Sequence, residues 1–274
     1  MFFVSQLGDR AMSEPIYAGG AVGYDELMGR ATRLFIPTLL RAAHLAPGQR
    51  VLDVATGTGA AAQAAAELVG VSGSVTAGDI SATMLDAARR NLQGLPIVLE
   101  TFDGHELPYP DRQFDSVVCQ LGLMFFSDPA GGLSEFRRVL RDGGWTAVSV
   151  SSAPERTLFG RVGAVIARHA PEKAEKLNRF FSLKDPGRLR SLLERAGFQD
   201  VRVESESRTI AFASFDAYFS GIEKGATLSG QEYVQLAPDV RHAVREEVRR
   251  DLAPRTGDGS LWVEMEIHIG SGRR

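Results

Sequence analysis

The fold of this chain is decided by one segment, Val51-Leu52-Asp53-Val54-Ala55-Thr56-Gly57-Thr58-Gly59-Ala60. It begins with a run that is apolar except for Asp53, which predicts a buried strand. Gly57 and Gly59 then permit a tight turn and the close approach of a ligand, because glycine has no Cβ. Residues 60–69 are nearly all strong helix formers. This order of strand, glycine turn and helix opens a doubly wound α/β domain that binds a nucleotide-like ligand.

A second segment, Ser74-Val75-Thr76-Ala77-Gly78-Asp79-Ile80-Ser81, reads as a strand that ends in an acid. The interval from Gly57 to Asp79 fits a carboxylate that accepts hydrogen bonds from both hydroxyls of a ribose. Residues 57–62 also fit the G-x-G-x-x-A dinucleotide pattern, which is a weak signal by itself. The turn alone therefore does not name the ligand.

Further along the chain, strands are predicted at 97–102, 116–120, 145–150 and around 201–203, with helical patterns between them. Strands that alternate with helices in this way indicate a parallel sheet covered on both faces. The final segment, 261–269, alternates strictly between apolar and polar residues, which predicts a half-exposed antiparallel strand. The predicted fold is α/β, a doubly wound, Rossmann-like sheet of seven mostly parallel strands with the last one antiparallel, and a helical cap.

The helical patterns outside this alternation divide the chain. We predict N-terminal cap helices in 1–45, a ligand-binding core in 46–152 and inserted cap helices in 153–184. Residues 185–274 complete the core sheet and carry an additional helical cap at 214–252. All three cap regions have apolar faces, which predicts that they fold over the ligand.

Composition limits the possible functions. The 274 residues are 44% hydrophobic and 24% charged, with a net charge of -3, which is ordinary for a globular protein and unlike a nucleic-acid binder. No apolar run reaches membrane-spanning length, so we expect no membrane insertion. The single cysteine, Cys119, permits no internal disulfide and no thiol-ligated metal cluster, and suits a reducing cytoplasm. We expect a small-molecule substrate and no metal; monomer and homodimer remain open.

Together, the two quoted segments resemble the first two motifs of class I S-adenosylmethionine-dependent methyltransferases. The segment Asp103-Gly104-His105-Glu106-Leu107-Pro108 after the third strand resembles a third motif. The similarity covers roughly residues 20–210 and is greatest to the ubiquinone/menaquinone-biosynthesis branch and its secondary-metabolite relatives. The rival interpretation is a nicotinamide-dependent oxidoreductase. Asp53 within the strand, the Asp103 segment and the antiparallel end oppose it. An S-adenosylmethionine-binding protein with another role is a further alternative.

The resemblance implies S-adenosylmethionine as cofactor and S-adenosylhomocysteine as product. It implies that Asp79 binds the ribose, that Asp103 with the backbone of Gly104 and His105 binds the adenine, and that the adenine lies between Ile80 and Met84. Asp53 is expected to orient the glycine turn or to reach the cofactor ammonium. The full set of predicted cofactor residues is Tyr24, Asp53, Ala55, Gly57, Gly59, Asp79, Ile80, Met84, Asp103, Gly104, His105, Gln120 and Leu121.

The predicted acceptor site is apolar. The segment after the fourth strand, 121–126, has no ionisable side chain, and the inserted helix adds further apolar residues. We predict Met28, Met124, Phe125 and Phe159 as substrate contacts, and no residue is assigned as a catalytic base. Quinone-methylating members often carry Arg-Asn where this chain has Met124-Phe125. The expected function is therefore methyl transfer to a small apolar or aromatic molecule, at an oxygen, carbon or nitrogen.

Overall fold

The computed structural model describes residues 28–253, 256–257 and 259–274. A sheet forms the centre of the molecule, with strand order β3-β2-β1-β4-β5-β8-β6. Its strands are β1 (Arg50–Val54), β2 (Ser74–Asp79), β3 (Ile97–Thr101), β4 (Phe114–Gln120), β5 (Leu140–Ser151), β6 (Gln199–Phe212) and β8 (Ser260–Arg273). A two-residue strand, β7 (Thr256–Gly257), pairs with β8 at its start.

The register confirms the predicted architecture. Strands β1 to β5 pair in parallel, and β8 lies antiparallel between β5 and β6. The parallel strands have buried central residues because helices cover the sheet. The chain therefore has the predicted doubly wound sheet with one antiparallel strand.

The short helix α1 (Arg30–Arg33) packs against α2 (Ile36–Ala42). Helix α2 and four further helices pack on the sheet; the four are α3 (Ala60–Val69), α4 (Ala82–Asn91), α5 (Pro129–Val139) and α8 (Pro186–Arg195). Three of these helices begin at a residue whose side chain caps the helix by accepting a hydrogen bond from a backbone amide. Ser81 accepts from Met84, Asp128 from Ala130 and Asp185 from Gly187. Helix α2 packs against β4, β5 and β8, so this part of the predicted N-terminal cap belongs to the sheet layer.

The other helices come from the two inserted segments. They are α6 (Gly160–His169), α7 (Ala174–Arg179), α9 (Phe215–Glu223), α10 (Leu228–Val234) and α11 (Pro238–Leu252). Helix α6 packs against α7, α10 and α11, and α9 packs against α10, so both segments share one helical layer. Buried aromatic rings hold it together; Tyr218 and Phe219 are fully buried in α9.

The last strand was predicted to be half exposed, and this is wrong for most of its length. It alternates only at its start, where Trp262 and Glu264 are exposed, and residues 265–272 are all buried. The reason is its position: β8 lies between β5 and β6, and α8 packs on it. Strand β6 is also much longer than predicted, and pairs with β8 from Gln199 to Phe212.

Beyond the end of β5, strands β6 and β8 continue as a two-stranded ribbon. Ser151 is the last β5 residue paired with β8, whereas β6 and β8 remain paired as far as Phe212 and Leu261. The ribbon therefore projects past the carboxyl ends of the parallel strands, and α9 packs on it. No helix in the described part of the chain is both long and apolar enough to cross a membrane.

Candidate active site

The glycine turn follows β1 directly. Ala55, Gly57 and Gly59 all have positive φ (57°, 57° and 92°), the conformation that glycine adopts without strain. A Cβ on Gly59 would stand 2.6 Å from Leu92 Cδ1, so a larger residue here would also have to displace the Leu92 side chain. A Cβ on Gly57 would meet no atom within 4 Å. Gly57 therefore faces open space, as a residue that lines a ligand site must.

Asp79 lies at the end of β2, beside this turn. Its Oδ2 accepts a hydrogen bond from the Gly57 amide at 2.9 Å, and its Oδ1 accepts one from the Ser81 amide at 2.9 Å. Burial raises the pKa of Asp79, while the hydrogen bonds from Ser81 and Gly57 oppose the rise. The carboxylate is thus fixed in orientation and still has lone pairs for a ligand, because each oxygen can accept a second hydrogen bond.

Asp53 lies beneath the turn and is fully buried. Its Oδ2 accepts a hydrogen bond from the Thr56 hydroxyl at 2.7 Å, whereas its Oδ1 has no partner among the described residues. Burial raises the pKa of Asp53 to about 7, with a smaller contribution from the nearby Asp79 and with the hydrogen bond from Thr56 opposing the rise. The bond to Thr56 links Asp53 to the glycine turn, and both roles predicted for Asp53, orientation of the turn and contact with the cofactor ammonium, stay predictions.

The segment after β3 forms a second rigid corner. Asp103 Oδ1 accepts hydrogen bonds from the His105 amide at 2.9 Å and from His105 Nδ1 at 2.7 Å. His105 Nε2 in turn accepts a hydrogen bond from the Asp128 amide at 3.2 Å, so Nδ1 is the ring nitrogen that donates to Asp103. A Cβ on Gly104 would stand 2.3 Å from Phe126 Cζ, which shows how closely the two segments pack.

Ile80 and Met84, which are predicted to contact the adenine, lie in the turn after β2 and in α4. Ile80 is half-buried and Met84 is buried. Asp79, Ile80 and Asp103 follow neighbouring parallel strands at the same edge of the sheet, because β2 and β3 pair in register through Asp79 and Thr101. The structure therefore brings these predicted residues together.

At the end of β4, Gln120 and Leu121 hold two other parts of the chain. Gln120 Nε2 donates to the carbonyl oxygen of Thr32 at 2.8 Å, which ties α1 to the edge of the sheet. Leu121 is buried with φ at 51°, and its amide donates to Ser149 Oγ at 3.0 Å. Their predicted contact with the cofactor stays a prediction.

Beside this edge, the helical layer contains a small, largely apolar cavity that is partly open to solvent. It lies among α6, α7 and the start of α10, and its lining residues are Met28, Phe159, Gly160, Leu177, Phe180, Phe181, Thr227, Leu228 and Ser229. Two of the four predicted substrate contacts, Met28 and Phe159, are among them.

The other two predicted substrate contacts lie outside the cavity lining. The Phe125 ring packs against the Phe180 ring, with 5.7 Å between centroids, so Phe125 adjoins the cavity. Met124 is buried, and its carbonyl oxygen accepts a hydrogen bond from Ser182 at 2.8 Å. Tyr24, the remaining predicted cofactor contact, lies outside the described residues.

Sequence reasoning did not assign Leu177, Phe180, Thr227 and Ser229 to a site. They come from two inserted segments about 50 residues apart, and no local motif marks them. The only signal was the adjacent pair Phe180-Phe181 at the end of a charged segment. Cavities formed by distant segments depend on tertiary packing, which periodicity does not describe.

The comparisons with known proteins decide the family. A family model described as a methyltransferase domain matches residues 52–148. Demethylmenaquinone methyltransferase from Deinococcus radiodurans is 34% identical over 168 residues, which are 55% of this chain and 68% of that protein. The chain belongs to the class I S-adenosylmethionine-dependent methyltransferases.

Two further similarities agree with this family. A ubiquinone/menaquinone biosynthesis C-methyltransferase from Stenotrophomonas maltophilia is 44% identical over 110 residues; the match covers 39% of this chain and less than half of that protein, 44%. The crystal structure of a putative methyltransferase from Bacillus halodurans superposes with a TM-score of 0.58 at 23% identity, covering 87% of this chain and 97% of that one. This class I methyltransferase therefore has S-adenosylmethionine as its cofactor, and the alternative interpretation as a nicotinamide-dependent oxidoreductase is wrong.

Proposed function

We propose that this methyltransferase transfers a methyl group from S-adenosylmethionine to a small, uncharged and largely apolar molecule that binds under the inserted helices. The observation that supports the cofactor part of this proposal is the hydrogen bond from the Gly57 amide to the Asp79 carboxylate. It joins the glycine turn to the acid at the end of the neighbouring strand. In open α/β sheets, ligands bind outside the carboxyl ends of the strands, where these two groups lie.

The residues at this edge fit the cofactor. The open space at Gly57 admits the ribose and methionine parts, and the fixed Asp79 carboxylate can accept from the ribose hydroxyls. Asp103, held by His105, can accept from the adenine amino group. We further propose Ile80 and Met84 on the faces of the adenine. Ala55, Gly59, Gln120 and Leu121 complete the set, with Asp53 acting through the turn.

The acceptor half of the proposal is supported by the cavity. No side chain lining it carries a charge, and three of the lining residues are phenylalanines. Small-molecule sites are mostly apolar, with a few polar groups that fix orientation. When bound, S-adenosylmethionine supplies a methyl group already activated by its sulfonium. The chain's own residues then need only to orient the partners in line and exclude water.

The relatives' names place them in quinone biosynthesis. We propose the broader class of apolar acceptors for this chain, because Met124 and Phe125 replace the polar pair often found in quinone-methylating members. In this structure Met124 is buried and Phe125 packs on Phe180, so neither presents a polar group to an acceptor.

Replacing Asp79 by alanine tests the cofactor site. The variant should bind S-adenosylhomocysteine more weakly by about 1.5–3 kcal/mol, roughly 10- to 150-fold, the scale of hydrogen bonds to a charged group. Isothermal titration calorimetry measures this, with NAD as a ligand that should not bind either protein. Asp86→Ala is the matched control, since Asp86 is an exposed acid on α4 paired with Arg89. Unchanged affinity in a folded Asp79→Ala variant would refute the assignment.

Hydrogen exchange tests whether residues 20–36 of the predicted N-terminal cap, together with the cap regions 153–184 and 214–252, close over the cofactor. Lids of this kind move on microsecond-to-millisecond timescales and are stabilised when the ligand is bound. Addition of S-adenosylhomocysteine should therefore slow amide exchange in these segments as well as in 50–125. The contacts from Gln120 to Thr32 and from Ser182 to Met124 give two routes for this effect. Protection confined to 50–125 would show that these regions are no lid.

A further inference from the structure

We propose that Thr227 and Ser229 are the specificity-determining residues of the apolar cavity. They would select an uncharged ligand that carries a hydroxyl group, by hydrogen bonds to that group. The proposal rests on the proposed function, because it concerns how the acceptor is recognised. Thr227 and Ser229 are the hydroxyl-bearing side chains among the described residues that line the cavity. The rest of that lining is aliphatic, aromatic, thioether or glycine.

After the hydrogen bonds that they make within the protein, one of these two hydroxyls can still donate to a ligand and the other can still accept from it. Ser229 Oγ donates its proton to the carbonyl oxygen of Phe159 at 3.2 Å, so toward a ligand it can only accept. Thr227 Oγ1 accepts from the Gly230 amide at 2.9 Å as the N-cap of α10, and its own proton has no acceptor among the described residues. Thr227 can therefore donate.

A ligand hydroxyl satisfies both groups at once, because a hydroxyl donates one hydrogen bond and accepts two. A carbonyl or ether oxygen could accept from Thr227 but would leave Ser229 without a donor. An anion would be worse placed, since the lining has no positive charge to compensate its desolvation. The cavity therefore favours a hydroxyl group through its two hydrogen-bonding side chains and disfavours an anion because its lining has no positive charge.

The wall that carries these hydroxyls is held in place by two ion pairs to one buried carboxylate. Glu232, on α10, is 3% exposed, and its carboxylate lies 2.6 Å from the ammonium groups of both Lys173 and Lys176. These contacts join α10 to the start and middle of the 171–179 segment, which contributes Leu177 to the opposite wall. Loss of these partners would leave the Glu232 carboxylate buried without a compensating charge. The contacts therefore hold α10 against the 171–179 segment.

The experiment uses the full chain saturated with S-adenosylhomocysteine and three two-ring probes that differ in one group. The probes are 2-naphthol, 2-methoxynaphthalene and 2-naphthoate, and calorimetry gives their affinities. We expect 2-naphthol to bind about fivefold to tenfold more tightly than 2-methoxynaphthalene, the effect of one neutral hydrogen bond. The anion 2-naphthoate should bind more weakly still. Failure of 2-naphthol to bind, or equal affinity for the three probes, would overturn the proposal.

A variant then locates the effect. Ser229→Ala should reduce the affinity for 2-naphthol to that for 2-methoxynaphthalene and leave the latter unchanged. Ser220→Ala, a serine on α9 that bonds to the Ala217 carbonyl and lies outside the lining, should change neither. If Ser229→Ala keeps the full preference for 2-naphthol, Ser229 is not the recognition residue. Failure of the cofactor site would be separate, because S-adenosylhomocysteine itself would then not bind.

Discussion

The Asp53→Asn variant should gain stability relative to wild type as the pH rises from 5 to 8. Burial raises the pKa of Asp53 from its usual 3.8 to about 7. The unfolded chain therefore loses this proton at lower pH than the folded chain does. The favourable contribution of the bound proton is complete below about pH 4 and disappears as pH rises through about 7. Across that window, the wild type should lose roughly 4 kcal/mol of unfolding free energy through this group.

Asparagine does not titrate, so its variant lacks this loss. The difference in unfolding free energy between Asp53→Asn and wild type should rise by about 1.4 kcal/mol per pH unit between pH 5 and 7, then level off. Urea denaturation at several pH values measures it. Asp79 contributes a slope of the same sign in both proteins, since burial raises its pKa also. Asp86→Asn, an exposed control, should follow wild type. A difference that stays constant with pH would contradict this account of Asp53.

Asp53 also illustrates what sequence alone could provide. Its place inside an apolar strand predicted an acid at the centre of the site, and the order of strand, glycine turn and helix predicted the sheet around it. These features are local, because each depends on residues within a few positions. The surroundings of the carboxylate could not be predicted from the sequence: the structure shows that Thr56 bonds one oxygen and that the other has no partner among the described residues.

The errors in the prediction have a common physical origin. The pattern of 261–269 is amphipathic, so periodicity predicted one exposed face. Insertion of β8 between β5 and β6 then buried most of the strand. Likewise, Thr227 and Ser229 were missed because their neighbours in space belong to α6 and α7 rather than to α10. Both cases depend on which distant elements pack together, and tertiary context overrides local pattern.

Sequence placed Phe125 in the substrate site and left its neighbour Phe126 unassigned, and the surroundings of the two rings predict different effects of alanine. The Phe126 ring fills the space beside two glycines; a Cβ on Gly104 or Gly132 would stand 2.3 or 2.5 Å from it. It also contacts the rings of His105 and Phe136. Phe126→Ala should therefore leave a void and cost about 3 kcal/mol of unfolding free energy, near the lower end for phenylalanine because the ring is only half-buried.

The void would lie against the Asp103-Gly104-His105 segment, so Phe126→Ala should also weaken the binding of S-adenosylhomocysteine. Phe114→Ala is the matched control. Phe114 is a buried phenylalanine at the start of β4, packed edge-on against Tyr109. Its loss should cost a comparable 3–5 kcal/mol while the folded fraction keeps its cofactor affinity. Equal cofactor affinity in the two folded variants would remove Phe126 from the support of the cofactor site.

Phe125 faces the other way, toward Phe180 and the cavity. Its removal should cost less stability than that of Phe126, because it leaves space that adjoins an opening rather than a closed void. Phe125→Ala should stay folded and keep its affinity for S-adenosylhomocysteine, while methyl transfer to an acceptor found by screening falls about tenfold or more through loss of positioning. Phe180→Ala should reproduce the loss, and the double variant should add little to it, since the two rings form one wall. Retained turnover in both single variants would show that the acceptor does not contact this wall, and would place the methyl acceptor elsewhere at the edge of the sheet.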